Sequence, residues 1–262
     1  MRVRNDTRAF TLVELLVVVA VVAVLLAMLL PSLRAAREQA KQAKCAGNLR
    51  QLGIAFHMYA GEYGGRAMPT AYFDGWPIVY WWGLDSTAGV DHSRGFTARY
   101  LSADLKAGGV YECPAQARGT YEISQGLSGE VTSTYGYNGY FLSPSQTPGW
   151  SFTIGLRPWQ NLDQMRHPQL IFAFADSMIE WGGQLKNSAL LDPPWLFDGR
   201  RWKPNANPTT SFRHRGRTVA AHVDGHATSH GPSRGRLTSP SLEIGYVGED
   251  NAPHYVPDWR EW

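Results

Sequence analysis

The sequence predicts an α+β chain. One long N-terminal α-helix, membrane-spanning in its first half and amphipathic in its second, packs on a mainly antiparallel β body with long loops. Three observations carry this. Leu15 to Leu30 is an unbroken apolar run. Beyond Pro31, apolar residues recur at helical spacing as far as Tyr59. From residue 61 onward Gly, Pro, Trp and Tyr become frequent, and apolar runs shorten to strand length.

Composition sets the outer bounds. The chain has 262 residues, 44% hydrophobic and 18% charged, enough to bury a real core and too apolar for wholesale disorder. The net charge of +3 is unevenly spread. Residues 1–60 hold eight Lys/Arg against three Asp/Glu, and residues 61–262 hold seventeen against nineteen. The basic excess therefore flanks the apolar run, which argues against a nucleic-acid-binding body. The two cysteines, Cys45 and Cys113, form no Cys-x-x-Cys, so no thiolate-type structural zinc is expected.

The span is assigned to residues 10–30. With Leu12 and Val13 the apolar segment is interrupted once, by Glu14, and extends roughly 28 Å, close to the hydrocarbon thickness of a bilayer. It exceeds the apolar core of a secretory signal, and Pro31-Ser32-Leu33-Arg34 follows it in place of a small-residue cleavage site. Arg2, Arg4 and Arg8 precede the span, and Arg34, Arg37, Lys41 and Lys44 follow it, so the positive-inside rule does not fix its orientation. A central carboxylate in a span costs about 3 kcal/mol. Glu14 either snorkels to the near interface or finds a cation. A cut before Phe10 would supply one, as a new ammonium on a neighbouring copy.

The helix continues over residues 31–60. Leu33, Ala36, Ala40 and Ala43 recur at spacings of three and four, and Cys45, Leu49, Leu52, Phe56 and Tyr59 do so again with a shift of phase. Pro31 bends the rod rather than ending it, while Gly61 and Gly64-Gly65 stop it. Val, Leu and the small Ala20, Ala23 and Ala27 offer a surface that can pack on copies of itself inside a membrane.

Residues 61–262 are read as the globular body, with strands at Ile78–Trp82, Gly109–Glu112, Ser133–Phe141, Leu170–Phe174, Thr218–Val223 and Leu242–Val247. Asp224-Gly225 reads as a type I′ hairpin turn. Val223 then opposes His226, and His222 opposes Ala227. Alternation puts His226 and His230 on the face of Val219, Ala221 and Val223, with His222 on the other. On that geometry the evenly spaced His222, His226 and His230 make no zinc site, and no metal is expected. Ten Trp read as core filling, or in part as platforms for sugar rings.

Arg8-Ala9-Phe10-Thr11-Leu12-Val13-Glu14-Leu15-Leu16 resembles the processing site of type IV prepilins and type II secretion pseudopilins. Phe10, Thr11, Leu12, Glu14 and Pro31 fit that pattern, and Ala9 stands where the family usually has Gly. The resemblance implies a leader over residues 1–9, cut between Ala9 and Phe10, and assembly through Glu14 and Pro31. Cys45-Ala46-Gly47-Asn48-Leu49-Arg50-Gln51-Leu52-Gly53, and His214 followed by Asp224-Gly225, are similar to signatures of large pseudopilin-like proteins with a C-terminal His, nine residues, then Asp-Gly. Tyr135-Gly136-Tyr137-Asn138, Phe174-Ala175-Asp176-Ser177 and Cys113-Pro114 match further islands, the first two read as architectural.

What this implies is a non-enzymatic structural subunit of a pseudopilus or related fibre. Its partners would be the prepilin peptidase, other pseudopilin subunits and inner-membrane secretion machinery, with no nucleic acid. It would cross the inner membrane once, its body periplasmic or extracellular. Outside the cytoplasm Cys45 and Cys113 can pair as a disulfide, worth roughly 4 kcal/mol in the chain-entropy model; two separate buried thiols are the alternative. No cofactor is implied beyond calcium, which smaller pseudopilins hold in a C-terminal loop. Asp192, Asp198, Glu249, Asp250 and Asp258 have the oxygens for it but not the spacing of an EF-hand. Two other readings stand beside this one: a membrane-anchored carbohydrate- or cargo-binding module, and a metal-dependent enzyme using His214, His222 and Asp224.

Overall fold

The computed structural model describes residues 12–72, 78–86, 88–101, 109–116, 132–233 and 239–261. The leader, the Ala9–Phe10 bond, Trp76 and Trp262 lie outside the described residues. The chain divides into two compact units, Met1–Ala40 and Lys41–Trp262.

Helix α1 runs Leu12–Glu62. Pro31 lies within it without ending it, and the Ser32 hydroxyl donates to Leu29 O at 2.8 Å. Within the first unit no described residue is buried. This part is long and apolar enough to cross a membrane. Leu33, Ala36 and Ala40 are exposed there, so the first apolar set is not covered by the fold. The second set behaves differently. Cys45, Leu49, Leu52, Phe56 and Tyr59 are buried, joined by Asn48, Gly53, Ala55 and Ala60. The helix ends where the glycines predicted. Gly64 and Gly65 take positive φ, 64° and 79°, and Gly65 N–H donates back to Ala60 O at 2.8 Å.

The second unit is built on a four-stranded antiparallel sheet in the order Ala227–His230, Thr218–His222, Phe172–Asp176, Tyr135–Tyr137. Leu49, Leu52 and Phe56 of α1 share one core with Tyr135, Tyr137, Phe174 and Trp81. Phe56 packs edge-on against Tyr137 and Phe174, with ring centroids 5.9 and 6.1 Å apart. A bulge interrupts the register, since Ala221 pairs with Phe174 but His222 pairs with Phe172. The extra residue on one strand reverses the alternation. Phe174 thus meets the helix, while Phe172 meets His222, His230 and His254.

A second four-stranded meander comprises Ala71–Tyr72, Val79–Tyr80, Gly83–Ser86 and Gly89–Asp91. Two-stranded pairs join Met178–Trp181 to Gln184–Asn187, Trp195–Phe197 to Trp202–Pro204, and Thr210–Ser211 to Ile244–Gly245. Several strands are shorter than predicted. Ser133–Phe141 contains only Tyr135–Tyr137 before a helical turn at Gly139–Leu142. Gly109–Glu112 is turn, not strand.

The hairpin near the C-terminus corrects the predicted register. Ala221 pairs with Ala227 and Thr218 with His230. The loop has three residues, not two: Gly225 N–H donates to His222 O at 2.9 Å, and His222 N–H to His226 O at 2.8 Å. Of the loop residues only Gly225 has positive φ, 91°, so this is not a type I′ turn. The pair of positive-φ residues sits instead at Arg215 (58°) and Gly216 (76°), in the tight turn closed by His214 and Arg217.

Candidate functional site

Four sequence islands that are far apart along the chain converge on one buried point. Cys45 comes from α1, Asp176 from the end of the Phe172–Asp176 strand, and His214 from the Arg215-Gly216 turn. Cys113 lies in the segment before Pro114, where its N–H donates to Thr134 Oγ1 at 2.7 Å. All four are buried, and one ligand atom from each lies within 4.8 Å of the other three.

The contacts are specific. The Cys45 thiol donates to Asp176 Oδ1 at 3.2 Å. Cys113 Sγ lies 3.2 Å from His214 Nε2, which is 3.3 Å from Asp176 Oδ2. That carboxylate also accepts from Val219 N–H at 2.8 Å. Arg213 Nε is 3.9 Å from its other oxygen. The arginine is itself held by the carbonyls of Thr134 and Ser177. Both cysteines are free thiols in this structure. The fold thus brings the two sulfurs to one buried point, within 4.8 Å of each other.

The electrostatics follow from this packing. Burial opposes ionisation of Cys113, but the Cys45 thiol, His214 and Arg213 outweigh it and bring Cys113 down to about 6. Cys45 moves well up, through burial first and then its bond to Cys113 and the charges of Asp176 and Cys113. The shared site thus pushes the two thiols in opposite directions. Burial disfavours the His214 cation, yet bonds to Asp176 and Cys113 raise it to about 9. Burial likewise opposes the Asp176 anion, and His214 and Arg213 reverse that, leaving it below the usual range. Spacing alone had argued against zinc. The fold nevertheless assembles two sulfurs, an imidazole and a carboxylate, a donor set suited to a borderline-soft metal ion.

The remaining motif residues have architectural explanations. Asp224 Oδ1 accepts from His226 N–H and from its ring, tying the loop. Gly225 comes against α1, where a Cβ on Gly53 would lie 3.8 Å from Gly225 Cα. Asn138 donates to the carbonyls of Phe172 and Tyr255, and Ser177 to Leu190 O.

His222, His226 and His230 fall together, against the predicted split. His222 stacks on His226 at 4.1 Å and lies 5.8 Å from His230 between ring centroids. The one-residue change of register is the cause. Thr228 Oγ1 bridges His222 Nε2 and His230 Nε2. His214 belongs to the buried sulfur cluster and not to this one, so the trio of His214, His222 and Asp224 is not assembled.

Of the carboxylates considered for calcium, Asp192 is buried beside Trp150 Nε1 and Asp198 pairs with Lys203, while Asp250, paired with Arg260, lines one pocket with Asp258. Of the tryptophans, Trp81 and Trp82 are buried and Trp181 is 62% exposed.

Comparison with known families agrees with this architecture. A prokaryotic N-terminal methylation motif matches residues 4–30. A family described as a protein of unknown function (DUF1559) matches residues 34–83. Over these residues the chain is similar to type IV pilin-like proteins, with a prepilin-type methylation motif leading into a DUF1559 segment. The motif implies processing by prepilin peptidase and association with the membrane, with the body on the secreted side. No curated protein and no solved structure matches the chain.

Proposed function

We propose that this chain is a structural subunit, cut between Ala9 and Phe10 and assembled through its N-terminal helix into a secretion-type pseudopilus or fibre at the inner membrane. One observation carries the reading. Leu12–Ala40 is helical with no residue buried, and its Val and Leu side chains are about half exposed or more. An apolar surface of that extent needs lipid or other helices around it. Glu14 lies near the start of the described part of α1, where the amine of a processed neighbour would pair with it. Other pseudopilin subunits and inner-membrane secretion machinery are the partners this reading requires.

The test is mass spectrometry of the mature amino terminus together with cross-linking in native membranes. A terminus at Phe10 and a cross-linked ladder that disappears in Glu14→Ala support the proposal. Retention of residues 1–9, or a ladder indifferent to Glu14, overturns it.

A second reading, cargo or glycan binding, has one feature in its favour. A cavity of about 520 Å³ is lined by Tyr80, Trp81, Trp82, Trp181, Pro148 and Lys186, among others, and Tyr80 stacks on Trp82 at 5.0 Å. Quenching of Trp fluorescence by soluble glycans, abolished in Trp181→Ala, would support it.

A further inference from the structure

We infer that Cys45, Cys113, Asp176 and His214 form a closed, four-ligand site for one zinc ion, which fastens the soluble half of α1 to the central sheet. The separations suit such an ion. A tetrahedron with zinc about 2.3 Å from sulfur and about 2.1 Å from nitrogen or oxygen has edges of roughly 3.3–3.8 Å. The close pairs here are Cys45 Sγ to Asp176 Oδ1 at 3.2 Å, Cys113 Sγ to His214 Nε2 at 3.2 Å and His214 Nε2 to Asp176 Oδ2 at 3.3 Å. A small contact-wide adjustment centres a metal among them.

Donor chemistry selects the ion. Two thiolates and an imidazole favour zinc over calcium or magnesium, which take oxygen. Charge closes as well. Two thiolates and one carboxylate exceed the two charges of zinc by one, and buried Arg213, 3.9 Å from Asp176, supplies the compensating cation. The ligands are held from outside the site: Val219 N–H fixes Asp176 Oδ2, and Thr134 fixes the Cys113 backbone. Complete burial of all four ligands leaves no open coordination position, so the role is structural and not catalytic. Ligation would also keep both sulfurs as thiolates on the secreted side, where a bare pair would tend to oxidise.

The full-length protein, carrying no histidine tag, is extracted from native membranes in detergent without chelator. Metal content and intact mass are then measured. The expected result is one zinc per chain, reduced at least tenfold in Cys45→Ser and in Cys113→Ser. Cobalt exchanged into the unsubstituted protein should show sulfur-to-metal charge transfer and the intense visible bands of a tetrahedral thiolate site. That spectrum needs no variant and so stands even if the substitutions unfold the body. A metal-free native protein whose mass is two hydrogens lower, with no free thiol, identifies a Cys45–Cys113 disulfide and overturns the inference. Two free thiols that take up neither zinc nor cobalt overturn it too, as does zinc that persists in both serine variants.

Discussion

Gly136 lies where the Tyr135–Tyr137 strand runs against Leu190. A Cβ there would stand 2.5 Å from the Leu190 carbonyl oxygen and 2.7 Å from its carbon, both backbone atoms that cannot swing away. Gly136→Ala is expected to cost about 2 kcal/mol or more, read as a lowered thermal midpoint with membrane insertion unchanged. Asp192 makes the opposite case. Burial pushes its carboxyl up to about 6, only partly opposed by the Trp150 indole. Its unfolded value is about 3.9, so the folded chain binds the proton more tightly. The group favours folding most at low pH, and that contribution fades as pH rises from about 4 to about 6. Asp192→Asn keeps an oxygen for Trp150 and should raise stability at neutral pH by up to about 3 kcal/mol. Its denaturation midpoint should also lose most of the dependence on pH in that window. In the sequence Asp192 was one acid among several. Its burial comes from Thr209 and Trp150, neighbours no local pattern reveals.

Among the elements, α1 was the most legible. Periodicity and the Gly64-Gly65 stop are one-dimensional signals, and the buried stripe from Cys45 to Tyr59 follows them. Short strands were legible only as positions. Where Gly109–Glu112 was expected to pair, the chain turns, because β-prone residues report a half-buried surface more than a ladder. The Asp224-Gly225 pair misled for a definite reason. Asp-Gly suits both a two-residue loop and a three-residue loop with Gly in the left-handed position, and the two differ by one residue of register. That residue decides which face the histidines share.

The histidine group has a measurable consequence. Burial first, and then the charges of His226, His230 and His254, hold His222 down at about 3. Burial, then His254 and Arg217, hold His230 at about 4. Free histidines titrate near 6.5, so the unfolded chain gains protons that the folded one refuses. Stability is full above about 6.5 and falls as pH drops toward those lower values. Urea midpoints at about pH 7.5 and about pH 5 should differ less in His222→Phe than in the parent. Equal differences would rule the group out as the source.

At the scale of the molecule, every buried apolar side chain among the described residues belongs to the second unit, beginning at Cys45. A chain starting at Lys41 should therefore keep near-ultraviolet dichroism and cooperative unfolding while losing membrane association. A chain that loses its tertiary signal would refute that division. The membrane span and processing motif were legible because lipid and a peptidase both read contiguous sequence. The sulfur cluster was legible only in part. The candidate Cys45–Cys113 pairing brought two of its residues together, but Asp176 and His214 arrive from separate segments that no sequence pattern joined to them.

The position of Cys45 has a mechanical corollary. It is the first buried side chain along α1, following the half-buried Gln42 that donates to Ser229 Oγ at 3.2 Å, so tension drawn through the N-terminal rod is delivered there before it reaches Leu49 or Phe56. A cross-tie at the point of loading is sheared as a unit, whereas apolar contacts further along peel one after another. The body should accordingly yield to pulling in a single abrupt step, at a force set by that first buried anchorage.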